Sequence, residues 1–205
     1  MSMKLLCMIA ATSLGLFLYS QDVGAQSNTP KIEVGAQFSA IRIIEPGIST
    51  RTEPGFGGRL TYNVTRNIGL EAELGFFPKR SERITNLSGG RTIQGLFGAK
   101  VGIRREKVGV FGKLRPGFLS FSGALTDIFI PPQFGRVTHF ALDAGGVVEF
   151  YPTRRSIIRF DLGDTVIHYG KQTFSRSSGN TILTIRTFNH NTHNVQFSAG
   201  IGIRF

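Results

Sequence analysis

The feature that most constrains this chain is an alternation of apolar and polar residues with a period of two, recurring eight times after Pro30. Successive side chains of an extended strand point to opposite faces, so this period marks strands with one apolar face. The stretches are 32–40, 56–64, 68–76, 92–104, 108–115, 140–150, 158–163 and 195–205. Two residues interrupt them, Leu96 and Phe111, each an apolar residue in the polar set. No stretch carries the 3.6-residue apolar spacing of a helix over a useful length. Several of the eight run to about ten residues, where an ordinary globular strand has ~5–6 and a tilted strand crosses a bilayer in ~9–11.

The connections alternate in length. Short ones fall at 65–67, 105–107 and 152–155; long polar ones fall at 45–53, 78–91, 122–138 and 165–194. In an antiparallel meander, odd and even connections lie at opposite ends of the sheet. One end therefore has tight turns and both chain ends, and the other has four long loops. The expectation is an all-β, eight-stranded antiparallel up-and-down barrel that crosses a membrane, with short periplasmic turns and long external loops.

Period two alone does not separate a soluble barrel from a membrane one; what decides is which set faces the lumen. Eleven glycines (35, 57, 69, 75, 98, 102, 109, 145, 163, 200 and 202) fall on the polar set. On a solvated face they would weaken the strands with no benefit, whereas in a narrow lumen they leave room for long neighbours. The polar set also carries Arg59, Lys100, Arg104, Lys113, Arg115, Arg159 and Arg204 against Glu33, Glu71, Glu73, Asp143, Glu149 and Asp161. Seven bases minus six acids leave +1. Such near-balance suits a closed ion network, because buried charges are tolerated only in pairs. The apolar set contains no Lys, Arg, Asp or Glu, while Arg42 and Asp164 sit at the loop-side ends of their strands. At the midplane of a lipid-facing wall an Arg or Lys costs ~2–4 kcal/mol.

The N-terminus reads as an address. Lys4 precedes an apolar run from Leu5 to Ser20, and Val23-Gly24-Ala25 offers a cleavage site ahead of Gln26. The run falls short of the ~20 residues that a spanning helix needs, which favours a secretory signal peptide. The expected division is thus a cleaved signal over 1–25 and a barrel domain over 26–205. Cys7 is the sole cysteine of the 205 residues, so the mature part has none, which excludes disulfides and multi-Cys metal sites.

With these features the sequence resembles the OmpA/OmpX-type family of bacterial outer-membrane barrels. The resemblance rests on the signal, the eight strands and the final run Phe197-Ser198-Ala199-Gly200-Ile201-Gly202-Ile203-Arg204-Phe205. It implies location in the bacterial outer membrane. It also implies that Phe197, Ile201, Ile203 and Phe205 form the signal read by the barrel-assembly machinery. The chain departs from the family in lacking Trp, so its aromatic girdle must use Phe and Tyr. No peptidoglycan-binding domain is expected after the barrel.

A barrel of this size admits several chemistries. An eight-stranded barrel is just wide enough to be filled by side chains, so the lumen is expected to be plugged by the ion network; a narrow small-solute channel is the alternative. Lipid-A-modifying enzymes use the same barrel size and need a Ser/His pair with an orienting carboxylate at the lipid-facing rim. The four histidines (His139, His168, His190 and His193) lie in no recognisable string with a serine, although His168 is near Asp164. His190 and His193 fall short of a metal's usual three or four ligands. Gly55-Phe56-Gly57-Gly58 lacks the Lys-Ser/Thr and helix of a phosphate loop. A soluble lipocalin-type carrier shares the strand count.

The net charge of +11 first suggests nucleic acid, but an exported chain with bases spread over loops and turns does not fit that partner. The four loops carry Arg42, Arg51, Lys79, Arg80, Arg83, Arg91, Arg136, Lys171, Arg176 and Arg186 against Glu45, Glu53, Glu82, Asp127 and Asp164. Ten minus five leaves +5 on the outer side. The expectation is a monomer that is not an enzyme and needs no cofactor. Its work would be structural or surface-interactive, with outer-membrane lipid and the phosphates of lipopolysaccharide as partners.

Overall fold

The computed structural model describes residues 30–44, 50–78, 80–81, 88–89, 91–122, 136–170, 173–178, 181–186 and 189–205. The expected signal segment and much of the loop charge, including Lys79, Arg83 and Lys171, lie outside the described residues. Eight long strands form the molecule: β1 (Ile32–Ile43), β2 (Arg51–Asn63), β3 (Ile68–Phe77), β6 (Thr92–Arg104), β7 (Val108–Ser122), β8 (Arg136–Phe150), β9 (Ser156–Tyr169) and β12 (His190–Arg204). They close into one barrel in the order β1-β12-β9-β8-β7-β6-β3-β2, with every neighbouring pair antiparallel. Two small hairpins stand in the long connections, β4 (Arg80–Ser81) with β5 (Ser88–Gly89) and β10 (Thr173–Ser178) with β11 (Thr181–Arg186). No described residue is helical.

Two of the three short turns are held by their own hydroxyls. Thr65 Oγ1 accepts from the backbone N–H of Asn67 at 3.2 Å and of Ile68 at 3.1 Å. Thr153 Oγ1 does the same for Arg155 at 3.2 Å and Ser156 at 3.0 Å. Such local bonds give a tight connection its shape without help from the rest of the barrel. The seam between first and last strands runs to the end of the chain: Phe205 N–H donates to the Ile32 carbonyl at 2.8 Å. Closure leaves no free strand edge, which a membrane demands.

The eleven glycines do face inward, and for more than one reason. Beside Gly69, a Cβ would lie 3.1 Å from the Lys100 side chain, so there the space does serve a long neighbour. At Gly98 and Gly102, a Cβ would collide with the carbonyl oxygens of Leu114 and Val110 on β7. On this tightly curved inner surface the next strand's backbone comes too close for any side chain, which is a constraint of the wall itself.

The strands extend further at the loop end than the alternation indicates. β2 begins at Arg51, β7 runs to Ser122, β8 starts at Arg136, β9 reaches Tyr169 and β12 starts at His190. These additions take in residues expected in the long connections. The physical reason is an inversion of the pattern. At this end the inward positions include a cluster of apolar residues (Ile41, Ile43, Phe77, Leu119, Ala141 and Ile167, all at most 1% exposed). The outward ones include Arg42, Thr52, Thr138, His168, Asn191 and His193, all exposed. Above the hydrocarbon the wall stands in water, and the barrel becomes an ordinary protein with its core inside.

Candidate functional site

The interior is built in tiers. The lowest, beside the short turns, gathers Asn63, Glu33, Arg104, Arg204, Phe111 and Tyr151. Arg104 and Arg204 reach Glu33 at 3.1 and 3.3 Å, and Asn63 Nδ2 donates to the same carboxylate at 3.0 Å. Phe111, one of the two exceptions to the alternation, is only 3% exposed and turns its ring toward two cations, Lys100 at 4.8 Å and Arg104 at 5.4 Å. Arg204 lies 4.0 Å over the ring of Tyr151. An aromatic face attracts a desolvated cation through its quadrupole, so the exception has a job. Tyr151 donates its hydroxyl to Glu149 at 2.7 Å; burial, with that carboxylate beside it, pushes the phenol well above its ordinary value.

Above it lies the ion network. Arg159 grips Glu71 with both guanidinium ends and reaches Asp161 at 2.7 Å and Glu149 at 3.2 Å. Lys100 meets Glu149 directly, Glu33 at 3.3 Å and Glu71 at 3.6 Å. Arg115 binds Glu73 at 2.6 Å and Asp143 at 2.7 Å, and Lys113 bridges Asp143, at 2.8 Å, and Asp161. Ion pairs this dry repay their desolvation through shared, bidentate contacts, which leave only a few polar atoms of the network, Glu73 Oε1 and Arg104 Nε and Nη1 among them, without a hydrogen-bond partner.

A polar but uncharged tier follows. Gln94 on β6 and Gln196 on β12 exchange hydrogen bonds across the lumen at 2.8 and 3.0 Å. Thr165 adds a bond to Gln196 at 3.0 Å, and Ser39 meets Ser198 at 2.8 Å. The external mouth is then capped by the apolar cluster, with Phe121 and Tyr169 packed against it. Around it His139 lies 4.5 Å from the Tyr169 ring, and His190 stacks on the same ring at 4.8 Å.

Outside, the wall carries a continuous apolar band. Along β12 its outward residues run from Val195 to Phe205. Ten residue steps of ~3.4 Å, tilted by ~40°, give a belt about 25 Å tall, the thickness that a lipid-facing band requires. Arg42 and Asp164 share a row at its upper edge, since Val195 on the strand between them pairs with Asp164. Both are outward-facing charged residues at the rim of this belt.

A barrel with charges inside and a lipid-height apolar belt outside is also what the comparisons find. The family model described as "Outer membrane protein beta-barrel domain" matches residues 9–205. The chain belongs to this family. Similar solved structures include Ail, the attachment invasion locus protein of Yersinia pestis (16% identity, 86% of this chain and 99% of that one, TM-score 0.52). Ail has also been solved with the heparin analogue sucrose octasulfate (16% identity, 86% and 99% coverage, TM-score 0.53). Neisserial surface protein A matches at 14% identity, over 87% and 100% of the two chains, with TM-score 0.54. OprG from Pseudomonas aeruginosa matches at 9%, over 89% and 99%, with TM-score 0.53. No curated protein matches the chain. At these identities the structures share the fold, and the family places this barrel in the bacterial outer membrane.

Within this family barrel the thirteen charged residues read from the sequence all lie in the lumen, each at most 6% exposed. Twelve belong to the shared ion network; Arg59 does not. The four residues of the expected assembly signal, Phe197, Ile201 and Ile203 on β12 and Phe205 just after it, face outward and are 43–69% exposed. One acid was misplaced: Glu53, expected in an external loop, is 4% exposed inside the barrel, where Thr92 donates to it at 3.4 Å. Among the described side chains the lumen therefore holds seven acids against seven bases. Asp164 pairs with His193, at 2.6 Å, rather than with the nearer-in-sequence His168, which instead meets Asn191 at 2.7 Å. Among the described residues no serine bonds to His193, and none of their His, Cys, Asp and Glu form a group able to hold a metal. Sequence reasoning also missed the glutamine pair and the apolar cap. Both were visible as inward-parity positions, but no charge drew attention to them.

Proposed function

We propose that this outer-membrane barrel is a plugged, non-enzymatic monomer whose work is done at the surface, in envelope integrity or adhesion. The observation that carries the reading is the filled lumen: ion network, amide tier and apolar cap follow one another from the turn end to the external mouth. A passage for solutes would have to break all three. Planar-bilayer recording tests this. The expected result is no stable large conductance; a steady open level would establish the small-solute channel instead.

The external partner best supported is the phosphate-bearing glycolipid of the outer leaflet, lipopolysaccharide. Arg42 stands at the upper edge of the lipid belt, at the height of lipid headgroups, and the sequence places further arginines in the loops above it. A guanidinium offers a fork of donors that fits phosphate oxygens. Ail, a barrel of the same fold, has been crystallised with a polysulfated sugar. Binding of the purified barrel to lipopolysaccharide vesicles should weaken steeply with salt; salt-insensitive binding would overturn this part. The enzyme alternative needs a nucleophile beside His193 and Asp164, and unchanged lipid A in cells overproducing the protein would count against it. In this reading residues 1–25 are removed on export, residues 26–205 form the mature barrel, and the outward residues Phe197, Ile201, Ile203 and Phe205 are what the assembly machinery recognises.

A further inference from the structure

The outer wall is not evenly filled. Over β2, β1, β12 and β9, at the seam of the barrel, it holds a hollow of about 550 Å³. Ala36 and Ala199 form its floor, with Gly57 and Gly200 beside them. Ala36 shares its cross-strand row with Gly58 and Ile201, and Ala199 lies between Phe38 and Phe160. The rims are held by aromatic contacts to residues outside the hollow. Phe56 rests against Phe76, with ring centroids 5.5 Å apart, and Phe160 meets Phe150 edge-on at 6.2 Å. Held this way, the rings stand beside the hollow instead of closing over it.

The hollow opens in one direction. In the row toward the turn end, Leu60, Val34 and Ile203 stand side by side, all branched and exposed. In the row toward the mouth, Ala40 is the short residue between Pro54 and Phe197. The next outward residue on β1 is Arg42, and Asp164 at the same height is paired with His193. Short side chains thus lead from Arg42 through Ala40 and Ala199 to Ala36. Phe38 and Ala36 are four and six residues from Arg42 on β1. On strands rising ~3.4 Å per residue and tilted by ~40°, that puts the hollow about 10–15 Å below the headgroup level. One leaflet's acyl chains fill about 15 Å, half of a hydrocarbon core of ~30 Å. The hollow lies at the depth of the far half of an outer-leaflet chain.

In a bilayer an acyl chain gains nothing from the hydrophobic effect by lying on protein, since the surrounding lipid is equally apolar. A particular chain stays only where it packs more closely than on a bare wall, or where its headgroup is held. This seam offers both. We infer that the hollow seats one acyl chain of the outer-leaflet phosphoglycolipid, lipid A, whose phosphate pairs with Arg42 on the same strand. The site rests on the reading of Arg42 as a phosphate partner, and adds to it a fixed place on the wall for one lipid molecule.

The barrel is reconstituted in nanodiscs of phosphatidylcholine with lipid A as a minor component, and native mass spectrometry reads the lipid that it carries. Wild type should retain one lipid A. Ala199→Phe fills the floor with an apolar ring and should lower that retention about tenfold, through the loss of one chain's close packing. Arg42→Gln should lower it too, whereas Ala72→Phe, at an exposed outward position on β3, should match wild type. Heat-modifiable migration on gels, the sign of a folded barrel, is checked for each variant. If Ala199→Phe does not fold, Ala36→Leu fills the same floor from β1. Deacylated lipid A, which keeps its phosphates, tests Arg42 separately: its salt-dependent binding should persist in Ala199→Phe and fall in Arg42→Gln. If this headgroup binds but retention of lipid A ignores the filled floor, the hollow is not the seat. If the headgroup does not bind at all, the phosphate reading itself falls. Phosphatidylcholine retained in place of lipid A, or an equal loss in Ala72→Phe, would also overturn the site.

Discussion

The lower and upper parts of this barrel obey opposite rules. Within the lipid belt the outward side chains are apolar and the inward ones charged, as in the row that pairs Gly35 with Arg59 and Arg59 with Glu73. Toward the external mouth, Ile41, Ile43, Phe77, Leu119, Ala141 and Ile167 turn inward while Arg42, Thr52, His168 and His193 face out. The same eight strands pass through both regions without a break, so backbone geometry does not set the difference. The surrounding solvent does. In hydrocarbon the outer face gains from apolar side chains and polar groups retreat to the lumen; in water the hydrophobic effect restores the usual core. The inversion therefore marks where the membrane ends.

Mutations should break the two regions in different ways. The largest effect is expected in the lower one. Glu71→Ala removes the carboxylate shared by Arg159, Lys100 and Arg115, leaving buried cations short of a partner. A loss of about 3–5 kcal/mol is expected, read as the midpoint of urea unfolding in lipid vesicles. On the outer wall, Leu114→Arg in the middle of the belt should cost ~2–4 kcal/mol, whereas His168→Arg near the mouth should cost less than ~1. Equal penalties at the two positions would show that the belt is misplaced.

In the upper region, Leu119→Ala opens the apolar cap and should cost about 2–3 kcal/mol, toward the low end for a core leucine because a site near the open mouth can relax. Hydrogen exchange should then speed up in β7 and β8 near the mouth, with the ion network still protected. The smallest effect expected inside the lumen comes from Tyr151→Phe, which deletes the hydroxyl bond to Glu149. About 1 kcal/mol is expected. The folded barrel holds the phenolic proton more tightly than the unfolded chain does. This contribution is therefore complete below about pH 10 and is lost as pH rises beyond it. Wild type should lose more stability than Tyr151→Phe in alkaline unfolding.

Much of this was legible without coordinates, and some was not, for identifiable reasons. The lipid-level half followed from parity: once Leu74, Phe97 and Ile201 are taken to face lipid, Glu73, Gly98 and Gly200 must face inward, and they do. The upper half was harder to see because its pattern inverts, so Glu53 read as a loop acid and His190 to Asn194 as a loop. Leu96 and Phe111 looked like breaks in the polar set. They are inward apolar residues, and Phe111 serves two cations.

By itself, then, the sequence determined the number of barrel strands and, at the level of the lipid, the face on which each residue lies and the chemistry of the two faces. Those depend only on a two-residue period and on the solvent outside. Only the closed barrel decided who meets whom. Arg159 and Glu71 are 88 residues apart, Gln94 and Gln196 are 102 apart, and each pair meets across the lumen. Period two assigns a side chain to the inside but not to a partner. That choice follows from the order of the strands, their stagger and the curvature that brings distant inward residues within reach. The same closure sets Arg59 against Gln37, which accepts its hydrogen bond at 3.2 Å.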